Sequence, residues 1–159
     1  MKKIILISII LIILILINII LYSNDMQMNQ CLELRVPLLT KRESIELQTK
    51  DLFNDEKVIK IYLSKNQIKN ILKKIEGSNN WKNTELDKRL NEKMNLNSRE
   101  KIYNNIPNIE NAYWIFTNRS NGVHNIHSVD ELLNDMYYSI SFGILDINNR
   151  ILYYYEYDR

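Results

Sequence analysis

The chain has 159 residues, 45% of them hydrophobic and 25% charged, with a formal net charge of +2 and one cysteine. That length allots one domain, a single thiol excludes an internal disulfide, and so small a net charge excludes the phosphate-neutralising face of a nucleic-acid binder. Without Lys2 and Lys3 the basic residues number 19 against 19 acidic ones, so the body of the chain is neutral.

Residues 4–22 read IILISIILIILILINIILY, interrupted only by Ser8 and Asn18. As a helix rising ~1.5 Å per residue the run reaches about 28 Å, close to the hydrocarbon thickness of a bilayer. A helix also satisfies its own backbone groups, as lipid requires, and Tyr22 suits the interface. The run exceeds the ~7–15 apolar residues of a cleaved signal peptide, and Tyr22-Ser23-Asn24-Asp25-Met26 offers no small-x-small cleavage site. We therefore expect residues 1–22 to be a transmembrane signal anchor, with the lipid bilayer as partner of residues 4–22. Lys2 and Lys3 keep the N-terminus cytoplasmic by the positive-inside rule, which puts the remainder of this single-pass chain outside the cell membrane. Ser23 to Gln30 is polar, and residues 23–42 read as a tether in which Cys31 is an unmodified linker thiol. The residues before Cys31 are not the small ones of a lipoprotein signal.

Residues 43–159 then read as an extracytoplasmic α+β domain. Ile45, Leu47 and Thr49 alternate with polar residues, as do Ile59, Ile61 and Leu63, which predicts two strands joined as a hairpin across Asn54-Asp55. Ser64 and Gln67 have capping-box spacing, and Leu63 and Ile68 that of a hydrophobic staple. Ile68, Ile71, Leu72 and Ile75 mark one face of a helix over 65–76, with Lys73 and Lys74 suiting its C-terminal dipole and Gly77 its cap. Leu86, Leu90 and Met94 predict a short amphipathic helix, and residues 98–104 another turn or two. Ala112, Trp114 and Phe116 alternate with Tyr113, Ile115 and Thr117 in a third strand. Residues 118–127 read as a loop, and Ser128-x-x-Glu131 as the cap of a short helix through Asn134. Tyr138, Ile140, Phe142 and Ile144 alternate, Asn148-Asn149 is a turn signal, and residues 151–157 return as the partner of a closing hairpin. The fold class is thus an N-terminal transmembrane helix followed by a mainly antiparallel sheet of about five strands with one packing helix.

Three groups of residues could carry chemistry. His124, His127 and Asp130 could supply three ligands to a metal, although Asp130 and Glu131 also fit the first turn of a capped helix, where negative charge offsets the dipole. Tyr153, Tyr155 and Tyr157 share one face of the last strand and could present flat rings to a sugar, a peptide or a partner protein; ordinary β-propensity and cross-strand aromatic pairing are the preferred account of them. Arg119 could bind a carboxylate, and reads otherwise as a solvated loop arginine. With only three glycines there is no phosphate-cradling loop, and there is no G-x-S-x-G elbow. No motif requires a cofactor.

The succession IYLSKNQIKNILKKIE, then Trp81, AYWIFTNRS and YYSISFGILDINNRILYYYEYD resembles a group of small bacterial proteins that share a strand–Ser–helix unit and a closing aromatic hairpin. The resemblance spans residues 43–158 and implies no activity. The leading expectation is a membrane-anchored extracytoplasmic binding or interaction module whose partner is an envelope protein or a glycan. The alternatives are a metal-dependent hydrolase built on His124, His127 and Asp130, and a structural subunit of the envelope.

Overall fold

The computed structural model describes residues 9–13, 15, 25–37, 39–48, 55–83, 112–120, 122–127, 130–131 and 139–158. Seven strands form one sheet: β1 (Arg42–Gln48), β2 (Asp55–Tyr62), β3 (Lys82–Asn83), β4 (Ala112–Asn118), β5 (His124–Ile126), β6 (Ser139–Asp146) and β7 (Ile151–Asp158). The order is β1-β2-β7-β6-β4-β3, with β5 also paired to β4, and every pairing is antiparallel. The antiparallel α+β class matches expectation, but the sheet has seven strands rather than five. The two additional strands are only two and three residues long, too short for alternation to register, and β5 lies within the stretch read as a loop.

Two helices pack on the sheet: α1, residues 25–32, and α2, Lys65–Ile75. The start of α2 is as its spacing predicts. The Ser64 hydroxyl accepts from the Gln67 N–H at 3.3 Å, and Gln67 Oε1 accepts from the Ser64 N–H at 2.8 Å. Its end differs, because Glu76 closes the helix in right-handed geometry and Gly77 does not take the left-handed conformation expected of a glycine cap.

The closing hairpin turns through residues 147–150, where the Asp146 carboxylate accepts from the Asn149 N–H and side-chain amide. The amphipathic helix read at Leu86–Met94, the turns at 98–104 and the bounds Ser128 and Asn134 lie outside the described residues. So does most of the anchor segment. Among the described residues no helix is long and apolar enough to cross a membrane; residues 9–13 and 15 of that segment are helical.

Alternation sends apolar side chains to both faces of the sheet. On one face Ile61, Ile115, Leu145, Leu152 and Tyr154 meet Met28, Cys31 and Leu32 of α1 and Ile68, Ile71 and Ile75 of α2, together with Trp81. On the other, Val58, Ala112, Trp114, Phe116, Phe142, Ile144, Tyr153 and Tyr155 form a second buried cluster. Rings line it in a row: Trp114 to Phe116 along β4 at 5.2 Å, then across strands from Phe116 to Phe142 at 5.4 Å and from Phe142 to Tyr155 at 4.6 Å between centroids. Burial on both sides is why β4, β6 and β7, read as alternating, carry buried side chains at successive positions.

The largest departure from expectation is the stretch read as a tether. Met28, Cys31, Leu32, Leu34 and Val36 are all core side chains. Their spacing supplies the reason: Met28, Cys31 and Leu32 fall at i, i+3 and i+4, one face of a helix. Asp25, the first described residue of α1, is held by both terminal guanidinium nitrogens of Arg42, Nη1 to Oδ1 and Nη2 to Oδ2 at 3.2 Å. At the other end, Leu34 N–H donates to Asn29 O (3.1 Å) and Glu33 N–H to Gln30 O (3.3 Å), a Schellman closure with Glu33 at φ +54°. Trp81 Nε1 donates to Leu32 O at 2.8 Å, and Thr117 Oγ1 to Cys31 O at 2.9 Å, so two terminal carbonyls of α1 are satisfied from the body. Leu32 sits over Gly143, where a Cβ would collide with its Cδ2 and press on Ile115 and Trp81 at 3.1 Å each. The glycine is thus the seat of α1 on the sheet.

Candidate functional site

His124 opens β5 opposite Asn118, and His127 follows the strand; both side chains are exposed, as is Asp130. The Glu131 carboxylate accepts from the His127 N–H at 2.9 Å. Among the described residues no three His, Cys, Asp or Glu side chains are arranged to hold a metal ion, and His124, His127 and Asp130 do not make such a group. Their spacing suggests ligands only if the local chain curls around one point, and β5 instead extends it along the sheet edge.

The tyrosine face is likewise not a free platform. Tyr153 is 5% exposed and Tyr155 2%, both inside the second core cluster, with Tyr157 half-buried against it. An open aromatic surface was one of two readings, because only one packing helix was legible; Tyr153 and Tyr155 are instead buried.

Arg119, read as a solvated arginine, is buried. Its Nη2 lies 2.8 Å from Asp158 Oδ1 and its Nη1 3.9 Å from Glu156 Oε1, bridging two carboxylates of β7. Glu156 in turn accepts from the Tyr154 hydroxyl at 2.6 Å, and Tyr154 and Ser141 hydroxyls are 3.2 Å apart. Cys31 completes this row beneath α1. Burial pushes its thiol above the ordinary range, against the opposing pull of the Ser141 and Tyr154 hydroxyls. Burial, then the Glu156 charge, pushes the Tyr154 phenol up as well. Both groups keep their protons at neutral pH, so Cys31 is a packed thiol and not a thiolate nucleophile. Partners separated by 39 residues in sequence cannot be paired by local spacing, which is why Arg119 was misread.

Among the described residues, a cleft of about 660 Å³ opens along the outer side of α1. Asp25, Asn29 and Gln30 line it from the helix, Glu33, Arg35 and Val36 from the segment that follows, and Lys74 from the last turn of α2. Its volume falls in the ~300–1,000 Å³ range of ligand sites. Its walls mix apolar side chains, Met26, Leu34, Val36 and Pro37, with donors, acceptors and both signs of charge, which suits a ligand carrying polar groups on an apolar body. The Glu33 wall is fixed: its carboxylate accepts from Ser78 Oγ (3.1 Å), Asn80 Nδ2 (2.7 Å) and Asn125 Nδ2 (2.7 Å). Three segments distant in sequence therefore hold one rim. None of the lining residues stood out in sequence, because the cleft depends on docking α1, which read as unstructured. Set against family models, curated proteins and solved structures, the chain matches none of them.

Proposed function

We propose that this chain is a single-pass membrane protein whose α+β domain lies on the outer side and serves as an interaction module. The cleft beside α1 takes a polar segment of an envelope protein or a glycan. One observation carries the anchored reading. Residues 9–13 and 15 are helical, and their side chains, five isoleucines and one leucine, are each 48–59% exposed. A helical stretch that is apolar at each described position and about half exposed at each is suited to lipid. The dilysine at its start favours a cytoplasmic N-terminus and an external domain.

The binding half of the proposal rests on the cleft, whose rim is held by charge-assisted hydrogen bonds rather than left to a mobile loop. Its test places a photo-crosslinking residue at Arg35 or at Lys74 in the full chain, expressed in its own cells, with Asn148 as control. A discrete envelope-protein or glycan adduct from the two cleft positions and not from Asn148 supports the module. The same adducts from all three positions, or none from the cleft, overturn it. Protease added to spheroplasts tests the orientation: the domain should be cut while the membrane remains sealed.

A further inference from the structure

Three independent features converge on one end of the sheet. β1 begins there at Arg42, β2 ends there at Tyr62, and β7 starts there opposite Tyr62 and Asp146. The β6–β7 turn and the chain leading into β1 therefore project from the same end. Bidentate pairing of Asp25 with Arg42 brings that part of α1 there too.

Beyond residues 9–15, the exposed large apolar side chains among the described residues are Met26 (57%), Leu39 (101%) and Ile147 (36%). All three belong to this end: Met26 in the first turn of α1, Leu39 in the chain before β1, and Ile147 in the β6–β7 turn. Exposed lysines and arginine accompany them. Lys41 lies before β1, Arg150 closes the turn, and Lys65 opens α2, whose Gln67 reaches Thr40 at 3.2 Å. The carboxylates here are engaged within the protein: Asp25 by Arg42, Asp146 by Asn149, and Glu43 by Tyr62 and Lys41.

Chain length identifies what covers this end. Only three peptide units separate Tyr22 from Asp25, so their Cα atoms lie at most about 11 Å apart. With α1 docked rather than free, an anchor ending at Tyr22 leaves no room for the domain to stand away from the bilayer.

We propose that this end of the domain rests in the outer interface of the bilayer, with Leu39 inserted at the headgroup level, Met26 and Ile147 beside it, and Lys41, Lys65 and Arg150 against lipid phosphates. The proposal rests on the anchored reading above and deepens it, because it gives the domain a second lipid contact and one orientation. Apolar tips flanked by basic residues are suited to that boundary, and anionic lipid adds attraction within a Debye length of the surface.

The test uses the full chain in vesicles of phosphatidylcholine and phosphatidylglycerol, comparing Leu39→Trp with His124→Trp at the opposite end of the sheet. The unsubstituted chain, which holds Trp81 and Trp114 in its core, supplies the background. We expect Leu39→Trp emission to shift to the blue and to be quenched by lipids brominated near the top of the acyl chain, while His124→Trp emission does neither. If the chain floats with the vesicles and Leu39→Trp keeps the emission of a solvated indole, the second contact is refuted while the anchor stands. A blue shift without brominated-lipid quenching points to a protein cover instead and equally refutes it. A chain that does not float overturns the anchored reading and this proposal together.

Discussion

Residues 9–13 and 15 and residues 25–32, near the start of the chain, are all helical and meet opposite surroundings. Residues 9–13 and 15 leave every apolar side chain half exposed, whereas α1, from residue 25, buries Met28, Cys31 and Leu32 at 2% exposure or less. The first piece is apolar on all sides. The second is apolar on one face and polar on the other, and its end carbonyls are taken up by Trp81 and Thr117. The contrast shows that composition around the helix axis decides what must cover it.

The comparison can be broken from either side. The largest effect is expected from Leu32→Ala, at a site of 0% exposure over Gly143. Urea denaturation should show a loss of about 2–5 kcal/mol, the range for a buried leucine truncated to alanine. Ile12→Arg should do the converse, charging the anchor at a cost of about 2.5–3.5 kcal/mol for insertion near its centre. The chain should then lose membrane retention while the domain melts as before. Gly143→Ala should cost about 1–3 kcal/mol by overpacking, and Leu32→Ala in the same chain should recover part of that loss, since the two share one contact.

Two smaller effects sharpen the picture of α1. Glu33 sits at φ +54°. Glu33→Ala loses the acceptor for Ser78, Asn80 and Asn125 and keeps the strain; Glu33→Gly loses the acceptor and relieves it. The glycine variant should be the more stable by about 1 kcal/mol in thermal or urea unfolding. The alkaline limb of stability reports the row beneath α1. Cys31 and Tyr154 are both raised above their ordinary values in the folded domain, so the unfolded chain loses these protons first. Their contribution is intact below the ordinary thiol range and falls as pH rises through it. Melting temperature should drop above that range, less so in Cys31→Ala, and Cys31 in the folded protein should alkylate slowly at neutral pH.

Much of the fold was legible because its determinants are local. The Ser64–Gln67 box and the Leu63–Ile68 staple are spacings of a few residues and appear in the structure, as do the strands β2, β4, β6 and β7, although β4, β6 and β7 are buried on both faces rather than alternately. The apolar triplet Met28, Cys31 and Leu32 was also a local signal, masked by the polar residues around it. Three consecutive tyrosines at 153–155 carried a further one: a strand buried on both faces needs apolar side chains at successive positions. The cleft was not legible. Asn125 and Asn80 reach Glu33 across 92 and 47 residues, and Arg119 reaches Asp158 across 39. Such partners are chosen by the pairing order of the sheet, which no spacing in the chain encodes.

The most direct measurement is the intact mass of the full chain recovered after alkaline carbonate washing of membranes from its own cells. We expect it in the pellet, with residues 1–22 still attached. A chain released into the wash, or a mature form beginning near Asn24, would contradict the anchored domain.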